Sequence, residues 1–160
     1  MKLFLRILFW IFVSYLACAV GLVGTAVGLG PWYSSLAKPS FTPPNWLFGP
    51  VWSTLYTLMG ISMGLMDYVS EKSGDTVANR RVRNIFLIQI ALNALWPLVF
   101  FGAGWLWLGL VVIVLLEVAI LAWIALGWPI HRLATAMILP YPCWVGFATC
   151  LNGAIAWLNR

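Results

Sequence analysis

The residues of this chain best suited to binding are aromatic, and they fall on three helical faces. Phe48, Trp52, Leu55, Tyr56, Met59 and Met63 recur at i, i+4, i+7, i+8, i+11 and i+15, which is one face of an α-helix. Gln89, Asn93, Trp96 and Phe100 share a second face, and Tyr141, Trp144, Ala148 and Leu151 a third, where the small Ala148 leaves room beside Trp144. Rings of this kind stack on a flat apolar molecule, and isolated amides such as Gln89 and Asn93 can orient it. The same spacing also serves ordinary packing between helices, so the faces mark a candidate site. Pro97, Pro140 and Pro142 fall within two of these helices, where each removes a hydrogen bond and favours a kink beside such a site.

Conventional catalysis has little to work with. The chain holds one His, three Cys and four carboxylates. His131 sits beside Arg132 in a predicted loop and reads as a solvated side chain. Cys143 and Cys150 lie on one predicted helix about 10 Å apart along its axis, too far for a disulfide. Nothing resembles a nucleophile elbow, a phosphate loop, paired carboxylates or a metal-ligand set, so neither a metal nor a cofactor is expected. Glu117 stands out, because it is predicted near the middle of a helix. An ionisable residue in a membrane span is either functional or a hydrogen-bonded packing residue.

These faces need long helices, and the composition says in what medium. Hydrophobic residues make up 63% of the 160, charged residues 8% and aromatics 16%, with 11 Trp. That is too little charge to cover a soluble globule and too many aromatics for a disordered chain. An integral membrane protein remains. Uncharged stretches lie between Arg6 and Lys38, Lys38 and Asp67, Arg83 and Glu117, and Arg132 and Arg160. The segment 84–127 is long enough for two spans, with Gly102, Ala103 and Gly104 as the reversal. The reading is a single all-α domain over 1–160, a five-transmembrane-helix bundle with helices at roughly 5–29, 46–70, 82–101, 106–127 and 133–157. Helices are the expected spanning form because lipid leaves no other partner for backbone polar groups. The first apolar run, preceded by Lys2 and Arg6, continues to Leu29, longer than a signal peptide's core, and is expected to be retained. The polar stretch 67–83 reads as a loop. Gly24 and Gly28, and Gly60 and Gly64, have the spacing that lets helices approach closely.

Lys2, Arg6, Lys72, Arg80, Arg81, Arg83 and Arg132 would share one side of the membrane, against Lys38 and Arg160 on the other. This asymmetry predicts an inside N-terminus and an outside C-terminus. The basic residues flank helices and carry no stacking platform, so no nucleic-acid partner is expected. Trp32, Trp46, Trp105, Trp107, Trp128 and Trp157 lie near predicted helix ends, as in an interfacial aromatic belt. Between the first two helices, Pro31, Pro39, Pro43 and Pro44 alternate with Trp32, Tyr33, Phe41 and Trp46. Proline stiffens this segment and the rings give it an apolar underside, as a lid at the membrane surface would have.

The motif Trp32-Tyr33-x-x-Leu36-x-Lys38-Pro39-x-Phe41-x-Pro43-Pro44-x-Trp46, followed by Pro50-Val51-Trp52-x-x-Leu55-Tyr56, resembles the signature of the TspO/MBR family. These are tryptophan-rich sensory proteins related to the mitochondrial translocator protein, or peripheral benzodiazepine receptor. Leu92-Asn93-x-x-Trp96-x-x-x-Phe100-Phe101 and Pro140-Tyr141-x-x-Trp144-x-x-Phe147-Ala148-Thr149-x-Leu151-Asn152 extend the resemblance along the whole chain. It implies a five-helix bundle, commonly a homodimer, whose pocket under the first loop binds porphyrins and other flat apolar ligands. Carried over, the pocket takes in Tyr33, Pro44, Trp52, Asn93, Trp96, Phe100, Trp144, Ala148 and Leu151. The chain's own faces and loop add Lys38, Trp46, Phe48, Tyr56, Gln89 and Tyr141, with Lys38 placed to meet a propionate. With no His in this set, no axial haem ligation is expected.

The resemblance implies a binding and regulatory protein in the bacterial cell membrane; helical spans favour the inner membrane, while the family's outer-membrane members keep the outer one open. An alternative is light- and oxygen-dependent porphyrin breakdown, for which Trp52 and Trp144 are the catalytic candidates and the pigment supplies most of the chemistry. A small-molecule transporter using Glu117 is a further alternative. The family's sterol-recognition pattern needs a basic residue late in the last helix, where this chain has Trp157, so sterol binding there is not implied.

Overall fold

The computed structural model describes residues 2–28 and 30–160; Met1 and Leu29, the latter the predicted end of the first helix, lie outside the described residues. The described residues contain helices and no strand. In chain order the helices are α1 (Leu3–Gly28), α2 (Pro31–Ser35), α3 (Phe48–Lys72), α4 (Thr76–Pro97), α5 (Leu106–Gly127), α6 (Arg132–Ala136) and α7 (Pro140–Leu158). A 3-10 turn, Asn45–Leu47, leads into α3, and a π-helical turn, Leu98–Gly102, prolongs α4. Four helical stretches are long and apolar enough to cross a membrane: Leu3–Gly28, Thr76–Gly102, Leu106–Gly127 and Arg132–Leu158. The helix α3 is as long but more polar, because it carries Asp67, Glu71, Lys72 and several Ser and Thr.

One sequence expectation needs correction. The stretch 67–83 is mostly helix, with the reversal confined to a few residues around Gly74, whose φ is +75°. The cause is Asp75, whose side chain accepts from the Ala78 N–H at 2.8 Å and starts α4 well before the apolar run. In the last predicted helix the kink expected at the prolines is a tight turn over residues 137–139, where the Ile138 N–H donates to Thr135 and the Leu139 N–H to Ala136 before α7 resumes. Pro140 stands at the first turn of α7, where a missing N–H costs nothing, and α6 ends before it. At Pro97 the α-helix passes into the π turn. The reversal before α5 ends at Gly104, with φ +69°.

The helices α1, α3 and α4 pack on one another; α5 packs on α4, and α7 on α5. Both small-residue pairs are used within the chain. A Cβ on Gly64 would lie 2.7 Å from the Ile7 Cα, and one on Gly60 would meet the Ile11 backbone. Gly24 and Gly28 bring α1 equally close to Leu98 and Phe101 of the π turn. Between them the core holds Trp10, Phe86 and Trp123 edge to face, with ring centroids 5.2 and 5.0 Å apart, over Met59, Met63 and Met66. Gly60→Ala is therefore expected to push α1 off α3 and cost about 1–3 kcal/mol. Gly146→Ala, where a Cβ meets nothing within 4 Å, should cost nothing measurable in the same detergent unfolding experiment.

Candidate functional site

The site begins with helix register. A cavity of about 320 Å³ lies between α1, α3 and α4, below the segment that joins α1 to α3. The α3 face supplies Phe48, Gly49, Trp52, Ser53 and Tyr56, and α4 supplies Asn93, Trp96 and Pro97. Tyr33 of α2 and Phe101 of the π turn line the upper end. The α1 wall is Cys18, Gly21, Leu22 and Thr25, which follow i, i+3, i+4 and i+7. Sequence reasoning missed this wall. Its spacing was readable, but small and aliphatic residues carry no contrast on a helix that is apolar all round.

Of the expected site residues, Tyr33, Phe48, Trp52, Tyr56, Asn93 and Trp96 come together on this cavity. Phe100 lies one layer behind, stacked on Trp96 at 5.1 Å and clustered with Tyr33 and Leu151. Gln89 and Tyr141 are fully buried behind the wall, and Ala148 is buried in the main core. Trp144 lies on a separate cleft between α3 and α7, with its ring 5.7 Å from Phe48. Pro44 caps the 3-10 turn, and Trp46 projects outward at 71% exposure. The third aromatic face thus does not border this cavity, because α7 leans on α5 and makes little backbone contact with α3.

The polar groups form a buried chain. The Tyr56 hydroxyl donates to Asn93 Oδ1, and Asn93 Nδ2 donates to the Tyr141 hydroxyl at 2.8 Å. Tyr141 donates in turn to Gln89 Oε1 at 2.9 Å, and Gln89 Nε2 faces the Met59 sulfur at 4.0 Å. Gln89 is therefore committed inside the bundle, while Tyr56 and Asn93 reach the cavity. Trp96 is fixed separately, its Nε1 donating to Asn152 Oδ1 at 3.0 Å. Asn93→Leu would leave two buried hydroxyls facing an apolar side chain. The expected cost is about 1–3 kcal/mol in detergent unfolding, together with weaker occupation of the cavity.

The joining segment is tied down at several points. Ala37 exchanges two hydrogen bonds with the Asn159 side chain, both 2.9 Å, which pins it to the end of α7. Lys38 Nζ lies 4.5 Å above the Tyr33 ring, and Phe41 meets Phe147 at 6.3 Å. Lys38 thus faces a neutral phenol ring at physiological pH, and burial pushes the Tyr33 hydroxyl further above the usual tyrosine range.

Away from the cavity, His131 Nδ1 accepts from the Ala134 N–H at 3.2 Å and caps α6. Glu117 keeps one carboxyl oxygen, Oε2, buried without a partner. Among the described residues, no three of His, Cys, Asp and Glu come together where a metal ion could be held. Sequence reasoning also missed an ionic cluster where α1 begins and α3 ends. Arg6 Nη1 donates to Asp67 Oδ2 at 3.0 Å, and its other nitrogen pairs with Glu71. Trp10 Nε1 donates to the same Asp67 oxygen at 3.2 Å, and Arg83 Nε stands 3.7 Å from Asp67 Oδ1.

Comparison with known proteins matches residues 8–158 to the TspO/MBR family. The chain is 41% identical over 144 residues to the tryptophan-rich protein TspO of Archaeoglobus fulgidus, covering 88% of this chain and 90% of that one. It is 40% identical over 148 residues to protein CrtK of Rhodobacter capsulatus, covering 92% and 91%. It is 38% identical over 121 residues to the human translocator protein, covering 76% and 70%.

Proposed function

Because the chain belongs to the TspO/MBR family, an assignment that with its apolar helices makes it an integral membrane protein of receptor or regulatory type, we propose that it binds tetrapyrroles of the porphyrin type in the α1/α3/α4 cavity. The cavity carries this reading. It is lined mainly by Trp52, Trp96, Phe48, Phe101 and Tyr33, and a few polar groups reach it, led by Tyr56 and Asn93. That is the chemistry of a site for a flat, largely apolar ligand. Trp52 and Trp96 supply the stacking faces. Lys38, above Tyr33 at the rim, is the cation for a propionate. The segment from Pro31 to Trp46 acts as the lid, and its tie to Asn159 is the contact that opens when a ligand displaces it. In this reading α3 is the fifth membrane span, sheltered by α1 and α4, and the N-terminus faces the cytoplasm across the inner membrane. The working form is a homodimer, and occupancy of the cavity is the regulatory signal.

The test is co-purification in lipid nanodiscs. Protein-containing and empty discs are incubated with protoporphyrin IX in the dark and separated by gel filtration. About one porphyrin retained per chain, above the empty-disc background, is the expected result. Equal retention by both discs would refute the proposal.

A further inference from the structure

The cavity has a near neighbour. The cleft between α3 and α7 holds about 540 Å³, is open to the outside of the bundle, and is lined by Val51, Thr54, Leu55, Pro140, Cys143 and Trp144 among others. Cavity and cleft lie on adjacent faces of α3. What divides them is not helix against helix, since α3 and α7 make little backbone contact, but two ring pairs. Phe48 meets Trp144 at 5.7 Å, and Trp52 meets Tyr141 at 6.3 Å. The two pairs are not equally fixed. Tyr141 is held at both sides of its hydroxyl by Asn93 and Gln89. The Phe48 and Trp144 rings are held by packing alone, and Trp144 Nε1 is buried with no acceptor. An unsatisfied buried donor gives a ring no directional reason to stay where it is. The Pro140 kink between α6 and α7 lies one turn from Trp144, where proline removes one backbone hydrogen bond from the helical path.

We propose that the cleft is the route by which an apolar ligand reaches the cavity sideways from the bilayer, and that the Phe48–Trp144 pair is its door. This rests on the cavity being the ligand site, and it adds the path and the source of the ligand. A molecule dissolved in lipid meets the cleft without crossing the stiff, tied segment above the cavity. A door changes rates in both directions and leaves affinity almost alone, whereas damage to a binding site changes affinity.

The probe is protoporphyrin IX dimethyl ester delivered from lipid vesicles, followed by its own fluorescence as it binds and leaves the reconstituted protein. Cys143→Trp fills the cleft, and Cys150→Trp adds the same bulk at an exposed position on α7 away from it. In Cys143→Trp, association and dissociation should both slow about tenfold with the dissociation constant held within about twofold. Cys150→Trp should match wild type. Thr54→Phe, on the opposite wall of the cleft, should reproduce the slowing and guards against misfolding of the first variant. Wild-type rates in both Cys143→Trp and Thr54→Phe would overturn the route, as would a loss of affinity that comes from faster dissociation with association unchanged. Absence of saturable binding in wild type would instead overturn the cavity as the ligand site.

Discussion

Asp67→Ala is expected to destabilise the folded protein by about 3–5 kcal/mol, because it breaks a buried ion pair and leaves the Arg6 guanidinium less fully compensated. The Arg6 side chain is 7% exposed and that of Asp67 6%. The Asp67 carboxylate accepts from Arg6 and from Trp10, and its backbone carbonyl accepts from Arg6 at 3.3 Å and from Asn79 Nδ2 at 3.4 Å. Removing the carboxylate takes away one of the counter-charges of Arg6 and leaves the Trp10 N–H without this acceptor at the junction of α1 and α3. Glu71 still reaches Arg6 from the rim, so the loss should fall toward the lower end of that range. Glu71 is itself 57% exposed, and Glu71→Gln should cost only about 0–1 kcal/mol. Replacing both core partners, as Arg6→Met with Asp67→Leu, should restore most of the stability, since a buried pair is often matched by apolar groups of similar volume. Unfolding of the four proteins in one detergent measures all three numbers. A cost below about 1 kcal/mol for Asp67→Ala would mean that Arg6 is solvated and the cluster is not buried.

Gly49→Trp should do the opposite: leave stability intact and remove binding. Gly49 lines the cavity mouth on the first turn of α3, and a Cβ there meets nothing within 4 Å. The indole can therefore enter the cavity without pushing on the backbone, and glycine is a poor helix former in any case. Filling the space a macrocycle needs should weaken protoporphyrin binding roughly a hundredfold or more, about 2.7 kcal/mol. Unfolding of Gly49→Trp should match wild type within about 0.5 kcal/mol. Unchanged affinity would place the ligand elsewhere.

The particular residues show how far the sequence could be read. Phe48, Trp52 and Tyr56 stand out against small and polar neighbours on α3, so their shared face was visible, and they do line one cavity. Asn93 and Trp96 followed for the same reason. The α1 wall, from Cys18 to Thr25, was hidden because every face of that helix is apolar. Trp144, Ala148 and Leu151 do share a face, yet a face says nothing about which neighbour it meets. That depends on the kink before Pro140 and on α7 leaning against α5, the second a product of tertiary packing. By its charge alone, Asp67 reads in the sequence as the end of a span and the start of a loop. In the fold the carboxylate instead turns inward to Arg6, a partner 61 positions away that no local pattern reveals.

The most direct test of the central claim is a dark titration of the solubilised protein with protoporphyrin IX, followed by tryptophan fluorescence, in wild type, Trp52→Phe and Trp46→Phe. Trp52 lines the cavity, whereas Trp46 projects away from the bundle. Saturable quenching is expected, with affinity and amplitude that fall in Trp52→Phe and are retained in Trp46→Phe. Quenching that rises without saturation, and equally in all three proteins, would contradict it, because the porphyrin would then be dissolving in the micelle and not entering the cavity.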